Sequence, residues 1–518
     1  MKIALVQARV RRDRPSENLE NIKTVLKQPE LAGADLVIFP ALVLSGRLGP
    51  AALARPGLDV QYDKVFKDFL EISAQYPQKT LASSLLSFDS ASAKSENSGP
   101  TEAVFIAKAG SAELQPPPAP GEPESGFQVA GGLVAIYPSW YVPGPEKGAE
   151  AEVLVSLRNQ PYQGQPYFPP QETSAARSWR LNVSAVGGDG PNIYEGASWV
   201  YDPRGQLKGW AQGFQNAVIV LDTGASKLPT LNPLPSREPM AVLQDALVAG
   251  LRDFIHSTGG GKALLGLSGG LDSALVAFLA KEALGAENVL GVAMPSEYNA
   301  PESLTLARDL VKKLKISLLT IPIDSIRESF TRSFLLTPQK SEKAANLADE
   351  NIQARIRGVL LMYLANRENR LLLGTGNKSE AAVGYATLYG DTCGAICPIG
   401  DVYKTRLFEL ARYINRREEI IPEGIINRQP SAELRPGQKD EDSLPPYPIL
   451  DDILERHLEG AWSGSRVAKE GGHSPMTVAW VLSTMKKNAF KRAQAPFSLI
   501  ASTCPLSGLD WPREEGSA

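Results

Sequence analysis

KALLGLSGGLDS, Lys262 to Ser273, is the stretch on which the reading of this 518-residue chain turns. Ala263 to Leu267 is apolar throughout, as in a strand buried on both faces of a parallel sheet. Ser268-Gly269-Gly270 breaks the run, and DSALVAFLAKEAL beyond it predicts an amphipathic helix. A strand, a glycine turn and a helix N-terminus together present backbone N–H groups to an anion. Two adjacent glycines let phosphate oxygens approach with no Cβ in the way. The Walker pattern is excluded, because no Gly-Lys-Ser/Thr follows. The plainer alternative is a glycine turn that opens an ordinary helix.

Around this stretch the pattern alternates. Upstream, AVLQDALVAGLRDFIHS predicts a helix from Met240. Downstream come a strand at Asn288–Ala293, a helix at Pro301–Leu314, a strand at Ile316–Ile323, a long helix over 345–368 and a strand at Arg370–Leu373. Such βαβ repetition predicts a doubly wound parallel sheet with ligands at the C-terminal strand edges. Before it, Asp222 to Pro239 is proline-rich and lacks apolar periodicity, which marks a boundary. The expected organisation is residues 1–225, a linker at 226–239, and residues 240–518. The first part reads as strands at 2–7, 34–39, 81–88, 103–108, 133–137, 151–157, 181–186, 197–201 and 217–221, with a helix at 17–30. Loops are expected at 89–100 and 115–126.

Bulk properties exclude several classes. The chain is too long for one core. A net charge of −3 with 43% hydrophobic and 21% charged residues gives no sign of a nucleic-acid or membrane partner. No apolar run has membrane-spanning length. The three cysteines, Cys393, Cys397 and Cys504, suit a reducing compartment, and a cytoplasmic location is expected. His256, His457 and His473 have no partner at ligand spacing and read as packed or solvated.

Two later segments are denser in polar residues than a core requires. Residues 374–413 place Lys378, Glu380, Asp391, Asp401 and Lys404 among glycines. PSAELRPGQKDEDSLPPYPILDDIL, 430–454, reads in isolation as an exposed acidic loop or a binding loop. SGGLDS resembles the pyrophosphate loop of N-type ATP pyrophosphatases, within the adenine nucleotide alpha hydrolase-like fold. Together with NKSEAAVGYATLYGD, PIGDVYKT and PSAELRPGQKDEDSLPPY it resembles the NAD synthetase family, in its form fused behind a nitrilase-like domain. That resemblance implies adenylation of the carboxylate of nicotinic acid adenine dinucleotide (deamido-NAD) by ATP, then displacement of AMP by ammonia.

The residue roles follow from the same resemblance. Ser268, Gly269, Gly270, Asp272, Ser273, Thr375 and Lys404 would hold ATP, and Asp272 and Glu380 would bind Mg²⁺. Lys404 and Lys439 are the cations expected on the phosphates and adenylate. Asp391 and Ser431 would line the region of ammonia attack, making Asp272, Lys404, Asp391 and Ser431 the candidate catalytic set. Arg355, Arg357, Asn377, Lys378, Glu380, Asp391, Lys439 and Lys491 are the candidate substrate contacts. Arginine forks suit carboxylate and phosphate, although surface arginines on helices are also common.

In the first half, MKIALVQ, AGADLVIFP, GLVAIYPSW, a helix ETSAARSWRLN and SAVGGDGPNIYEGASWVYDPRGQL resemble the nitrilase family, an α-β-β-α sandwich with a Glu–Lys–Cys triad. Here Ala41 stands where the glutamate would follow Phe39-Pro40, and Tyr137-Pro138 replaces Cys-Glu. Residues 112–118, AELQPPP, contain no lysine. Amide hydrolysis by that route needs a thiolate and a base, and these residues provide neither. The expected protein is therefore a NAD-forming ligase fed by free ammonia or by a separate donor, assembled as a homo-oligomer. Alternatives are ATP-pyrophosphatase chemistry on another acid, and a non-catalytic scaffold.

Overall fold

The computed structural model describes residues 1–87, 101–115, 126–138, 151–166, 178–225, 238–334 and 342–505. The chain divides into two compact units: residues 1–237 without 162–166 and 190–192, and the remainder with those two short segments.

The strands of the first unit, in chain order, are β1 (Lys2–Gln7), β2 (Leu36–Ile38), β3 (Thr80–Ser87), β4 (Thr101–Lys108), β5 (Ser111–Gln115), β6 (Phe127–Val129), β7 (Gly132–Tyr137), β8 (Val153–Arg158), β9 (Trp179–Ser184), β10 (Val186–Asp189), β11 (Asn192–Glu195), β12 (Trp199–Tyr201), β13 (Leu207–Trp210) and β14 (Ala217–Asp222). They form two six-stranded sheets, ordered β14-β1-β2-β3-β4-β5 and β13-β12-β9-β8-β7-β6, and a two-stranded β10-β11 ribbon. Strand alternation divides the core. Ile3, Leu5, Leu36 and Ile38 meet Val134, Ile136, Val153 and Val155 in one layer between the sheets. Their neighbours Ala4, Val6 and Val37 face the other way, onto helices α1 (Pro15–Leu26) and α3 (Leu58–Ala74), with the short α2 (Pro50–Leu53) between them. Side chains of a strand point alternately to its two faces, so a central strand buried on both sides reads as an unbroken apolar run. The arrangement is the nitrilase-like sandwich.

Two expectations for this unit change. Trp179 to Asn182, placed in a helix from the resemblance, lie in β9 between β8 and β12. The preceding residues of that helix, 172–177, fall outside the described residues, as do loop 89–100 and linker residues 226–237. Helix α3 was not anticipated. Its buried residues Leu58, Tyr62, Val65, Phe69 and Ile72 recur at helical spacing, which was the available signal.

The second unit is built on a parallel sheet ordered β17-β16-β15-β18, from β15 (Ala263–Gly266), β16 (Val289–Ala293), β17 (Ser317–Thr320) and β18 (Leu371–Leu372). Successive strands run outward from β15 to β17, then β18 pairs on the other side of β15. The reversal puts the switch point at the C-terminal ends of β15 and β18, where open α/β sheets bind ligands. Helices α4 (Pro239–Ser257) and α5 (Leu271–Leu284) pack together, with α5 on β15 and β16. Helix α6 (Pro301–Leu314) and α7 (Asp324–Phe334) follow, and α8 (Glu342–Arg367) brings Ile356, Leu361 and Leu364 onto Leu264, Val292 and Leu372. Helix α5 is not the amphipathic helix expected. Ala274 to Ala280 are all buried, as in a helix enclosed on every side.

Helices α9 (Lys378–Val383), α10 (Lys404–Ile414), α11 (Glu423–Ile426), α12 (Tyr447–Leu458), α13 (Gly464–Gly471), α14 (Pro475–Lys487) and α15 (Ala489–Arg492) complete the unit. Ala382 and Val383 of α9 join Leu450, Leu454, Val467, Val478 and Val481 in a second apolar core. That core anchors the segments carrying the polar residues that follow β18. No helix among the described residues is long and apolar enough to cross a membrane.

Candidate active site

At the switch point lies a cleft of about 760 Å³, lined from Gly266 to Lys491 by residues of the second unit. The glycine turn forms one wall. Its serine hydroxyls stitch the loop to itself: the Ser268 N–H donates to Ser273 Oγ (3.3 Å), the Gly270 N–H to Ser268 Oγ (3.2 Å), and Ser273 Oγ to the Gly270 carbonyl (3.1 Å). Gly270, the residue before α5, has no side chain to cap the first turn. Those N–H groups have no intrahelical acceptor and form an anion seat.

Gly269 has a different task from the one expected. It does not line the cleft. Its φ is +80°, and a Cβ there would overlap the backbone of Ser303, 2.8 Å from Cα and closer still to the carbonyl oxygen. Gly269→Ala should therefore displace the turn from α6, raising the ATP dissociation constant at least about tenfold and costing about 1–3 kcal/mol of stability. Calorimetric ATP titration and thermal unfolding check this.

Directly after the turn, Asp272 in the first turn of α5 meets Lys404 and Glu380. Lys404 Nζ lies 2.5 Å from Asp272 Oδ2, 3.3 Å from Glu380 Oε1 and 5.3 Å from the centroid of the Tyr447 ring. Burial works against the Lys404 charge, but Asp272 and Glu380 outweigh it and raise its pKa. Burial pushes Glu380 up to about 8; Lys404 opposes the shift and Asp272 adds to it. Asp440, also buried, accepts from the Tyr447 hydroxyl (2.8 Å) and adds a third carboxylate near Lys404. Its pKa is raised by burial against that hydrogen bond.

These donors suit a hard divalent cation. Asp272 Oδ1 is buried with no hydrogen-bond partner, and three carboxylates gather about the Lys404 ammonium. Among the described residues no group of three or more His, Cys, Asp or Glu side chains forms a self-sufficient metal cage. Magnesium does not need one; it takes one or two carboxylates, water and substrate phosphate.

Of the remaining expected residues, Thr375, Arg357, Asp391, Ser431 and Lys491 line the cleft. Arg357 Nε donates to the Met294 carbonyl (3.1 Å) and Nη2 to Asn299 Oδ1 (3.2 Å). Burial lowers its pKa to about 10, against the pull of Glu433 and Asp324. Asp391 accepts from the Thr387 N–H (2.7 Å); although its surface opens to the cleft, the surrounding protein pushes its carboxyl up to about 6. Ser431 Oγ donates to the Gln438 carbonyl (2.6 Å). Lys491 Nζ donates to the carbonyls of Gly384 (2.8 Å) and Ala386 (2.7 Å), so it braces the cleft wall.

Four expected contacts are corrected. Lys378 is fully buried, away from the cleft, within a charge cluster of its own. Asn377 lies behind the site: its Oδ1 accepts from the Glu380 N–H (3.0 Å) and its Nδ2 donates to Asp272 Oδ2 (3.4 Å). Arg355 turns to the Leu388 carbonyl (3.2 Å) and does not line the cleft. Lys439 is exposed outside the cleft, and its neighbour Asp440 turns inward instead. Sequence reasoning also missed Glu433, which sits in the left-handed region and holds Ser303 Oγ (2.8 Å), Asn299 Nδ2 (2.8 Å) and Arg428 Nη2 (2.5 Å). The acidic run 433–442 was the available signal, but no periodicity indicated which members face inward.

A glycine loop at the switch point, an uncapped helix start and an acid–ammonium cluster define a nucleotide-binding protein of the α/β class. Residues 243–495 match the family model for NAD synthase. A glutamine-dependent NAD(+) synthetase from Xylella fastidiosa is 35% identical over 530 residues, covering 96% of this chain and 95% of that protein. One from Synechocystis sp. is 41% identical over 355 residues, and the match spans 66% of this chain but only 62% of that relative's length. The structure of glutamine-dependent NAD+ synthetase from Acinetobacter baumannii in complex with ADP superposes with a TM-score of 0.71 at 26% identity, covering 98% of this chain and 97% of that one. The chain belongs to the NAD synthetase family, in the form that joins a nitrilase-like unit to a synthetase unit.

Proposed function

We propose that the protein is an ATP-dependent ligase that converts deamido-NAD to NAD, drawing on ammonia and not on glutamine hydrolysed within the chain. The observation that carries this reading is the Asp272–Lys404–Glu380 cluster, which lines the switch-point cleft together with the glycine turn. The ADP held by the Acinetobacter relative supports placing a nucleotide in this fold. The proposal assigns residues 1–225 to a non-hydrolytic domain, 226–239 to a linker and 240–518 to the catalytic domain.

In this reading the pyrophosphate end of ATP sits on the uncapped N–H groups at the start of α5, beside Ser268, Ser273 and Thr375. The nicotinate carboxylate oxygen attacks the α-phosphorus, the P–O bond to pyrophosphate breaks, and pyrophosphate leaves. Charge developing on the phosphates meets Lys404 and backbone donors already in place. Asp272 and Glu380 would hold Mg²⁺, which neutralises phosphate charge when bound. Arg357 is placed on a substrate anion. Ammonia then attacks the acyl carbon, the C–O bond to AMP breaks, and the surplus proton leaves through Asp391 or water. Asp391, with its pKa near 6, is ionised at neutral pH and available to accept it.

The naming of relatives as glutamine-dependent favours a second reading of the nitrogen source, a separate glutaminase that supplies ammonia. Homo-oligomeric assembly is part of the proposal. The test is pyrophosphate release by purified protein given ATP, Mg²⁺ and deamido-NAD. Release should require all three; release that is indifferent to deamido-NAD would mean that water attacks ATP, and would overturn the reading.

A further inference from the structure

We infer that Lys378, through the tail segment Phe497–Cys504, is a positioning residue that sets Glu380, together with Lys404, at its working distance from Asp272. The inference rests on the adenylating reading above. Lys378 Nζ reaches Ser502 Oγ (2.7 Å), the Cys504 carbonyl (2.9 Å), Glu459 Oε1 (3.0 Å) and Asp401 Oδ1 (3.2 Å). An ammonium has three protons, and these acceptors take them all, leaving none for a ligand. Asp401 in turn accepts from the Ala501 N–H and the Ser502 hydroxyl, both at 2.8 Å. The Cys397 N–H donates to the Phe497 carbonyl (3.0 Å). One buried charge cluster thus ties the tail to the first turn of α9 and to the loop before α10.

The ties fall beside the reactive groups. Lys378 precedes Glu380 by two residues, and Asp401 precedes Lys404 by three. Helix α9 has six residues and cannot hold its own conformation, since isolated helices shorter than about 12 residues are marginal. Its C-terminal end is held separately. Asn488 donates to the Val383 carbonyl (2.7 Å), Arg492 to Ala382 (2.7 Å) and Lys491 to Gly384 (2.8 Å). The Ser379 hydroxyl donates to Asp451 (2.5 Å) and accepts from the Lys404 N–H (2.9 Å), so α9 and α10 shift together. Releasing the Lys378 end therefore moves Glu380 against Asp272, which belongs to α5. The tail does this from outside, because residues 497–504 do not line the cleft.

Lys378→Met alone leaves the buried Asp401 and the partly exposed Glu459 without their cation and lowers stability. Lys378→Met/Asp401→Asn removes that charge imbalance. Ser502→Ala is a milder second variant that removes the hydroxyl accepting from Lys378 and donating to Asp401 but keeps both charges. ATP affinity by calorimetry, KM and kcat for pyrophosphate release, and the thermal midpoint are measured for each. The double variant is expected to recover most of the midpoint yet show ATP affinity reduced about tenfold and kcat reduced by up to about 10²-fold, the scale of an ångström misplacement. Ser502→Ala should weaken ATP a fewfold with only a modest fall in the midpoint. Wild-type affinity and kinetics in a folded double variant overturn the inference; so does wild-type behaviour of Ser502→Ala if the double variant does not fold. A wild-type protein that releases no pyrophosphate sinks the adenylating reading alone, because ATP affinity still decides the role of Lys378.

Discussion

Asp272→Asn should cut pyrophosphate release by about 10²–10³-fold, the range seen when one preorganised charge is removed from a transition-state site. The residue is placed for this effect by its setting. Oδ2 is committed to Lys404 and Asn377, and Oδ1 is buried with no hydrogen-bond partner. An amide retains the shape but loses the negative charge and one acceptor. Lys404 would then have Glu380 as its nearest carboxylate, and Glu380, no longer repelled by Asp272, should ionise below its present value of about 8. The buried ammonium stays paired, so the thermal midpoint should fall much less than after removal of Lys404. Wild-type turnover by Asp272→Asn would remove the central residue of the proposed mechanism.

Ammonium should support amide formation, and glutamine alone should give at least about 10³-fold less, a loss on the scale of deleting a catalytic nucleophile. In the first unit the position matched to the family base is Ala41, whose fully buried methyl packs in the layer between the sheets with Ile3, Leu5 and Leu36. Its carbonyl accepts from Asn159 Nδ2 (3.3 Å). Tyr137, which the sequence resemblance matches to the family nucleophile, is buried at the end of β7 and paired with Ser156 of β8. No cysteine precedes Cys393, so the first unit has no thiol. Comparing NAD yield with ammonium chloride and with glutamine on purified protein decides the matter. Equal rates would mean that a nucleophile other than cysteine operates in the first unit.

The parts of this protein legible in its sequence were those governed by local pattern. Apolar runs located β1, β7, β8, β15 and β16, and the glycine turn after β15 located the cleft. Helix α5 was misjudged because apolar residues on all sides look amphipathic when only a few charges interrupt them. Among polar residues the limit was sharper. Lys378 and Lys404 are both buried lysines in one glycine-rich segment, yet Lys404 faces the cleft and Lys378 faces the tail. Lys439 and Asp440 are adjacent, and the acid turns inward because the hydroxyl of Tyr447 meets it there. Such choices depend on partners distant in sequence, such as Ser502 and Glu459 for Lys378, and no local period encodes them.

Ser303 stands between two loops that sequence order keeps far apart. Its backbone blocks any side chain at Gly269, and its hydroxyl meets Glu433 and Arg428 on the opposite side. It serves as a shared abutment, so a shift imposed on the 428–438 loop reaches the phosphate seat through one rigid residue. An engineer who remodels that loop to admit a bulkier acid would also have to retune the glycine turn.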